Sequence, residues 1–406
     1  MENKPSIKVI LSTFGPLHLM KSAEYLSKYA DIKIIQGWVP KPNSLFVKII
    51  GKIINKDLTI SFKKRYPQNI KYNYGIGMPE FLLWTGKKIK IFNNIFSSVN
   101  SAKLYSFLSK KYIKNADIFH VRSGNGGVAI DIARKRGLKI IVDQSIAHNN
   151  YIEKALKPEY DRYNLYWGFG PTAPFWKYVL EDCEKADIIL VNSEFVKKTF
   201  IEAGYKKEKI KVSYLGVRKD FWGLKTNYEI QGKIKILFTG GFGFRKGGLY
   251  ILQALQELDR MNLNYEFTVV GSYDESHILN KYLPKNIHFV GFIPQEKLKA
   301  YFINYDIYLF PSLVEGCASS GMEAMAAGMP VIATEASGLP IIDKQNGILI
   351  QPQNVISIVE AILLLKNNDK LREKIGKNAY ELIKHNYSWE NYAQNVYTIY
   401  KEIIEK

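Results

Sequence analysis

The chain of 406 residues is too long for one ordinary hydrophobic core, so the sequence predicts two domains. Its two cysteines, Cys183 and Cys317, exclude a disulfide framework and favour a reducing compartment. The formal net charge of +19 is concentrated in the N-terminal half, since residues 1–150 hold 25 Lys and Arg against 8 Asp and Glu (+17) and residues 251–400 hold 12 against 16 (−4).

The chain begins with a polar segment that leads directly into a strand-like run. Residues 1–6 contain no long apolar stretch and no small-residue cleavage site, so no secretion signal is apparent. Nowhere do about 18 apolar residues follow one another, which argues against a membrane-spanning helix. We therefore expect a cytoplasmic protein.

Strand-like runs alternate with helical patterns through the first half, which indicates a parallel α/β unit. The strands are predicted at 7–11, 32–36, 118–121, 140–142 and 188–191, with a helix at 176–185 before the last of them. Residues 42–100, rich in Lys, Asn, Ile and Phe, are predicted to form irregular insertions and short helices.

Residues 45–56 have the pattern of a basic amphipathic helix. The lysines on one side are Lys48, Lys52 and Lys56, and the apolar residues on the other are Phe46, Ile49, Ile50, Ile53 and Ile54. With the positive charge of this half, the pattern favours an anionic membrane surface as a partner. The alternative is a core-facing helix with solvated lysines, and Gly51 weakens the helix prediction. Nucleic acid is not expected, because zinc-ligand spacing and RNA-binding aromatic signatures are absent from the sequence.

A glycine-rich loop at 123–129 follows an internal strand. Gly124, Gly126 and Ala129 match a loose dinucleotide-binding fingerprint, with Asp143 about one strand further on. This keeps open a nicotinamide- or flavin-dependent oxidoreductase. The fingerprint normally follows the first strand, however, and the loop after that strand lacks it.

Residues 143–150 stand just past the next strand, at the edge of the sheet where ligands gather. Within them, His148 could donate to a sugar hydroxyl or orient an acceptor. The alternative is that His148 is ordinary polar structure in a loop.

The second half repeats the alternation after a linker that begins near residue 217, so we expect domains at 1–216 and 217–387. Strands are predicted at 234–239, 267–270, 287–290, 307–310, 331–334 and 347–350. The terminal segment, 388–406, is predicted to be one amphipathic helix that can pack back onto the first domain. Its apolar stripe consists of Trp389, Tyr392, Val396 and Ile399.

Residues 240–248 form a second glycine-rich turn, which lies between a predicted strand and a helix. Such a turn can hold phosphate, and Arg245 and Lys246 would neutralise a diphosphate leaving group. It is neither a Walker loop nor a dinucleotide loop, because Lys246 stands where the third glycine belongs. A merely tight turn is the alternative.

Residues 305–334 are the most informative segment. They place Glu315 and Glu323 around a small-residue loop, 318–321, that follows a buried strand and opens a helix. A phosphate could approach this loop, and Glu323 could accept hydrogen bonds from a ribose diol. The alternative is two ordinary carboxylates near a helix start. Cys317 is interpreted as a small filler residue, and metal-ligand spacings are absent from the sequence.

The ordered set of motifs resembles the retaining, nucleotide-sugar-dependent glycosyltransferases of family 4, which have the GT-B fold. The matching segments are 212–217, 240–247, 289–294, 311–333, 346–347 and 387–389. The resemblance implies two Rossmann-like parallel-sheet domains that face each other across a cleft. The N-terminal domain would meet the acceptor and the C-terminal domain the donor.

The resemblance also implies roles for individual residues. Glu323 would hold the ribose hydroxyls, Glu315 would contact the donor sugar, and Arg245 with Lys246 would stabilise the departing diphosphate. The further residues implied at the nucleotide are Ile293, Gly241 and the amides of Ala318, Ser319 and Ser320. Related enzymes usually have an arginine where Gly241 stands, so Arg245 would substitute for it. His148 resembles their active-site histidine.

The activity implied is transfer of one hexosyl-type sugar from a nucleotide-sugar donor to a glycan or lipid-linked acceptor. The donor is a cosubstrate, and neither a metal nor another cofactor is expected. A role in bacterial surface polysaccharide assembly, at the inner face of the cell membrane, follows from the same analogy. An inactive nucleotide-sugar-binding protein of this fold remains a further alternative.

Overall fold

The computed structural model describes residues 7–15, 18–41, 44–53, 59–63, 65–88, 97–273 and 277–405. Within them the chain forms two α/β units, each built on a parallel sheet. Continuous apolar strands such as Ile307–Phe310, buried at every position, are typical of sheets covered on both faces by helices. The prediction of two parallel-sheet domains is confirmed.

The N-terminal sheet has the strand order β3-β2-β1-β4-β5-β6-β7, with all pairs parallel. Its strands are β1 Lys8–Thr13, β2 Asp31–Gln36, β3 Tyr72–Gly75, β4 Ile118–Arg122, β5 Lys139–Gln144, β6 Ile188–Val191 and β7 Ile210–Val212. The helices of this unit are α1 His18–Leu26, α2 Leu45–Ile53, α3 Thr59–Lys63, α4 Gly77–Lys88, α5 Ser98–Ser109, α6 Gly127–Lys135, α7 Asn149–Arg162, α8 Pro174–Lys185 and α9 Glu194–Glu202.

The C-terminal sheet has the order β10-β9-β8-β11-β12-β13, again with parallel pairs. Its strands are β8 Ile234–Thr239, β9 Tyr265–Val270, β10 Ile287–Gly291, β11 Ile307–Phe310, β12 Val331–Thr334 and β13 Ile348–Ile350. The helices are α10 Gly248–Arg260, α11 His277–Asn280, α12 Gln295–Asn304, α13 Ser319–Ala326, α14 Val355–Lys366, α15 Asp369–Asn386 and α16 Trp389–Ile404.

Both sheets reverse their strand order at one point, between β1 and β4 in the first and between β8 and β11 in the second. Connections from the two central strands then leave in opposite directions and open a crevice at the carboxyl edge. The loops that follow β8 and β11 carry the glycine-rich turn and Glu315. Topology therefore brings these two segments together.

Two strands at the edges of the first sheet were not predicted. Tyr72–Gly75 lies within the segment expected to be irregular, and it pairs with β2. Ile210–Val212 pairs with β6 and lies shortly before the predicted linker. Both strands are short and end a sheet, so the apolar pattern that identifies a buried strand is weak in them.

The terminal helix α16 packs on the first domain rather than on the second. Its stripe of Trp389, Tyr392, Val396 and Ile399 is buried in one hydrophobic cluster with residues of β1, β2 and α1. Trp389 also stacks with Tyr25 of α1 at 6.0 Å between ring centroids. The chain therefore crosses between the domains twice.

Candidate active site

A buried hydroxyl network forms the floor of the crevice in the C-terminal domain. The Tyr308 hydroxyl lies 2.9 Å from Thr239 Oγ1 at the end of β8 and donates to Ser320 Oγ of α13 at 2.9 Å. Ser320 Oγ in turn donates to the Thr239 carbonyl at 3.3 Å. The network joins β8, β11 and α13, and it fixes the start of that helix relative to the strand ends.

The turn after β8 places two cations beside Glu315. Arg245 Nη1 lies 2.7 Å from Glu315 Oε1, and Lys246 Nζ lies 3.8 Å from the same oxygen. Arg245 Nη1 also donates to the Val314 carbonyl at 2.7 Å. A Cβ at Gly240 would stand 2.7 Å from Lys246 Nζ, and Gly240 has a φ of +116°, so this close approach requires glycine. The structure thus brings three predicted residues into one cluster.

Lys246 is the less exposed of the two cations. Burial lowers the pKa of Lys246, and Glu315 partly opposes this shift. The ammonium also lies 5.2 Å from the centre of the Phe310 ring. A cation held in this partly desolvated position interacts more strongly with a phosphate than a lysine in free solvent does.

The first turn of α13 offers amides to the same crevice. The Ala318 N–H already donates to the Ser337 carbonyl at 3.0 Å, so this amide is not available to a ligand. Ser319 and Ser320, the first two helical residues, lack an intrahelical acceptor for their amides. Of the three predicted amides, those of Ser319 and Ser320 are therefore the candidate phosphate donors.

Glu323 lies one turn into α13, beside the segment that follows β10. Gln295, the first residue of α12, donates to Glu323 Oε1 at 3.2 Å. Burial raises the pKa of Glu323 to about 7, although this hydrogen bond and the charge of Arg218 oppose the rise. Ile293 is half-buried two residues before Gln295, and Gly241 is exposed after β8.

The loop between Glu315 and α13 touches the first domain. Ser193 Oγ donates to the Gly316 carbonyl at 2.6 Å. A Cβ at Gly316 would overlap the Ser145 carbonyl oxygen, so the two backbones are in direct contact. Glu315 therefore lies at the boundary between the domains, beside the loop that follows β5. Lys198 of α9 and Glu335 form a second bridge at 2.9 Å.

His148 is buried in the first domain. It caps α7, where its Nδ1 accepts from the Asn150 N–H at 3.2 Å. The ring packs against Phe200 and Tyr205, and burial lowers its pKa to about 4. The structure gives His148 a capping position, so the alternative of polar loop structure fits it better than contact with an acceptor.

The loop at 124–129 is already filled by a side chain. The Asp182 carboxylate of α8 accepts the Gly126 and Gly127 amides at 2.8 and 2.7 Å. These are the amides with which such a loop would bind a pyrophosphate. The oxidoreductase alternative therefore lacks its phosphate site in this structure.

The sequence missed a histidine on the opposite side of the cleft. His18, at the start of α1, is hydrogen bonded through Nε2 to Asp143 Oδ2 at 2.9 Å. It shares with Glu323 and Ser319 a pocket of about 230 Å³ that both domains line. The sequence does contain one signal for His18: this residue follows the first strand of a parallel sheet, and side chains there lie at the carboxyl edge.

Three further observations bear on the earlier expectations. Burial raises the pKa of the Cys317 thiol, which fits a filler residue better than a nucleophile. Within the described residues, His, Cys, Asp and Glu nowhere gather in a group of three or more that could hold a metal ion. A search of the same residues finds no helix with the length and apolar character needed to cross a membrane.

Residues 222–382 match the sequence model of the family described as "Glycosyl transferases group 1". That range includes the β8 turn, Glu315 and Glu323, so the match falls on the cluster described above. It covers less than half of the chain.

Individual relatives agree with this match. The chain is 27% identical over 246 residues to an uncharacterized glycosyltransferase of Methanocaldococcus jannaschii, covering 56% of this chain and 62% of the relative. It is 30% identical over 190 residues to the amylovoran biosynthesis glycosyltransferase AmsK of Erwinia amylovora, covering 44% and 47%. The chain thus spans about half to three fifths of the length of these curated relatives.

Solved structures extend the likeness to the whole chain. Anabaena Alr3699/HepE, crystallised with UDP and glucose, has a TM-score of 0.63 at 15% identity, covering 98% of this chain and 100% of the other. The fold is GT-B, as the sequence predicted, with two parallel-sheet domains that meet at a cleft.

Proposed function

We propose that this protein is a retaining, metal-independent glycosyltransferase that moves one hexosyl-type sugar from a nucleotide-sugar donor to a glycan or lipid-linked acceptor. The observation that carries the proposal is the cluster of Arg245, Lys246 and Glu315, which lies beside the start of α13 at the carboxyl edge of the second sheet. It stands within the residues that match the group 1 glycosyl transferases.

Charge gives this cluster its chemistry. Breaking the bond between sugar and phosphate develops negative charge on the diphosphate and positive charge at the anomeric carbon. Lys246, Arg245 and the amides of Ser319 and Ser320 would face the negative charge, and Glu315 would face the sugar. Fixed groups of this kind stabilise the transition state more than the ground state. The cluster can do this without a metal ion.

The remaining contacts follow from the same arrangement. Glu323 would accept the ribose hydroxyls, with Ile293 and the exposed backbone at Gly241 beside the nucleotide. The acceptor would enter between the domains, next to the contact of Gly316 with Ser145. Retention requires the acceptor hydroxyl to attack from the face that the diphosphate leaves, and there the departing diphosphate would take the acceptor's proton.

The setting is proposed from the relatives and from the charge of the first domain. AmsK is described as an enzyme of amylovoran biosynthesis, and we propose a comparable role in bacterial surface polysaccharide assembly. The protein would work in the cytoplasm, at the inner face of the membrane. In α2, Leu45 is 75% exposed and Ile49 is 49% exposed, and Lys48 and Lys52 are exposed beside them. Exposed apolar and basic side chains on one helix suit an anionic lipid surface.

The structure describes only part of the two-sided helix expected at 45–56. Among the described side chains, Val47 is buried and Ile49 is exposed next to Lys48. Ile54 and Lys56 lie outside the described residues, and so do the side chains of Phe46, Ile50 and Ile53. A membrane would be met by Leu45 and Ile49.

Donor cleavage tests the proposal. The purified protein is incubated with a panel of nucleotide sugars, and released nucleoside diphosphate is measured with and without a lipid and glycan extract. We expect release from one donor, stimulated by the extract, with an anomer of unchanged configuration in the product. Binding of a nucleotide sugar without any release would instead indicate the inactive binding protein.

A further inference from the structure

A buried charged network lies on the first-domain side of the cleft, and the mechanism above does not use it. Its centre is Asp143, near the end of β5. Asp143 Oδ2 is hydrogen bonded to His18 Nε2 at 2.9 Å and lies 3.9 Å from His120 Nε2. Its other oxygen lies 3.7 Å from Arg122 Nη1. Three potential cations therefore surround one carboxylate.

The carboxylate is held in its ionised form. Burial raises the pKa of Asp143, but the charges of His18 and His120 and the hydrogen bond with His18 outweigh burial, so the pKa lies well below the usual range. His120 is itself fixed by Tyr400 of α16, whose hydroxyl is 2.7 Å from His120 Nδ1. Removing charged groups from water has a large free-energy cost. Such a group at the edge of a cleft is a candidate for a functional role.

His18 is the member of the network that reaches the cleft. Its side chain is 12% exposed, and it lines the pocket of about 230 Å³ together with Ser319 and Glu323. Because Nε2 is engaged by Asp143, Nδ1 is the ring atom left for a ligand. The carboxylate fixes the ring's orientation in the way that an aspartate orients a histidine in catalytic pairs.

The basic residues that line the pocket differ in how they are engaged. Besides His18 they are Lys21 and Arg218. Lys21 Nζ is 2.6 Å from Glu24 Oε2, and Arg218 Nη2 is 2.5 Å from Asp220 Oδ2, so both have carboxylate partners on their own side. His18 Nδ1 lacks a hydrogen-bond partner among the residues that the structure describes. This ring nitrogen is therefore open to a ligand in the pocket.

We propose that His18 is a further donor-binding residue, whose Nδ1 donates a hydrogen bond to the diphosphate, and that Asp143 is the positioning residue that holds it there. The inference rests on the proposed function, which places the ribose at Glu323 and the diphosphate beside Ser319. A ring that donates from both nitrogens carries the positive charge that suits a diphosphate. The first domain then contributes to the anion site from the side opposite Lys246.

Calorimetric titration with two ligands tests this. The first is the nucleoside diphosphate that binds the wild-type protein, and the second is the nucleoside of the same base, which has no phosphate. We expect His18→Ala to weaken diphosphate binding about tenfold or more, as loss of a hydrogen bond to a charged group does. Nucleoside binding is expected to stay unchanged. His385→Ala is the matched control, because His385 is exposed on α15 and paired with Glu381 at 3.1 Å.

The variant Asp143→Asn tests whether Asp143 acts by positioning His18. This change removes the charge that holds His18, so we expect weaker binding of the diphosphate and unchanged binding of the nucleoside. Adding Asp143→Asn to His18→Ala should cause no additional loss of diphosphate affinity. His18→Gln, which retains an N–H donor, is expected to recover part of the affinity. If Asp143→Asn fails to fold, the two variants of His18 still decide the question.

The outcomes distinguish this inference from the proposed function. If Lys246→Ala weakens diphosphate binding and His18→Ala does not, the role of His18 is overturned and the transferase proposal stands. Equal weakening of both ligands by His18→Ala also overturns it, because that pattern indicates a structural role. If the wild-type protein binds no nucleoside diphosphate, the proposed function falls and this inference falls with it.

Discussion

Arg245 and Glu315 are joined by an ion pair of 2.7 Å, which connects the turn after β8 to the loop after β11. The cation expected to meet the leaving group is thus paired with the carboxylate expected to contact the sugar. A diphosphate in the crevice would compete with Glu315 for Arg245 and for Lys246, which lies 3.8 Å from the same oxygen. Donor binding would then release Glu315 to face the sugar.

Replacing Lys246 or Glu315 in the cluster beside α13 should lower turnover. We expect Lys246→Ala to reduce kcat about tenfold or more, because it removes a cation directed at developing charge. Glu315→Gln should cause a similar loss, since the amide cannot balance the charge at the sugar. Turnover is measured by release of nucleoside diphosphate from the nucleotide sugar, and circular dichroism checks that each variant is folded.

Lys377→Ala is the control for these variants. Lys377 is exposed on α15, where its Nζ lies 2.5 Å from Glu373 Oε1. Lys377→Ala therefore removes one positive charge, as Lys246→Ala does, but from a surface ion pair. Its rate should equal that of the wild type. Wild-type rates in both Lys246→Ala and Glu315→Gln would remove the cluster from the mechanism.

Donor affinity should depend on pH through Glu323. Its pKa is about 7, and the ionised carboxylate accepts hydrogen bonds from a ribose diol better than the protonated acid does. Raising the pH from about 6 to about 8 should therefore strengthen binding about tenfold, with little change above that range. Titration of the nucleoside of the same base, which carries the ribose but no phosphate, at several pH values checks this.

Glu323→Gln supplies the comparison for the pH series. The amide does not titrate, so its affinity should be weaker than that of the wild-type protein at high pH and constant across the range. A pH dependence that survives in Glu323→Gln would assign the titration to another group.

The contact between Gly316 and Ser145, which joins the two domains, should affect kcat. Gly316→Ala places a methyl group against the Ser145 carbonyl, so the domains must separate or the loop must shift. We expect kcat to fall while the affinity for the nucleoside without phosphate changes little, because Glu323, which would hold the ribose, lies in the second domain. Ser193→Ala, which only removes the hydrogen bond to Gly316, should have a smaller effect. A larger effect of Ser193→Ala would contradict the steric explanation.

The exposed side chains of α2 should bind anionic vesicles. We expect association that weakens as salt rises, since basic residues near such a surface contribute about 1 kcal/mol each. At the same salt concentration, the double variant Leu45→Ser, Ile49→Ser should bind these vesicles less than the wild-type protein does. Sedimentation with phosphatidylserine vesicles measures the bound fraction.

Two exposed apolar residues of the second domain provide the control. Ile356→Ser with Leu364→Ser makes the same chemical change on α14, and it should leave vesicle binding unaltered. Salt-independent binding, or an equal loss in both double variants, would exclude α2 as the membrane contact.

The fold could be read from the sequence wherever a strand is buried on both faces. Ile307–Phe310 and Ile188–Val191 are continuous apolar runs, and both were predicted with the bounds found. Tyr72–Gly75 was missed because an edge strand is only partly covered, and its four residues are too few to establish a pattern. Pairing with β2, rather than local pattern, makes it a strand.

The sequence identified the candidate residues that stand in local motifs and missed His18, whose position depends on tertiary contacts. Arg245, Lys246 and Glu315 stand in glycine-rich loops that follow strands, and the structure brings them together. His18 has no motif, and its contact with Asp143 joins residues 125 positions apart. His148 follows a strand as the motif requires, yet the rings of Phe200 and Tyr205 enclose it. Sequence spacing does not reveal such enclosure.

Thermal unfolding with separate additions of UDP, GDP, ADP, CMP and NAD tests the central claim most directly, because a ligand that binds the folded state raises Tm. The account predicts a rise with one nucleoside diphosphate, which would identify the donor class, and a smaller rise in Lys246→Ala. A rise with NAD alone, or none with any nucleotide, would contradict it.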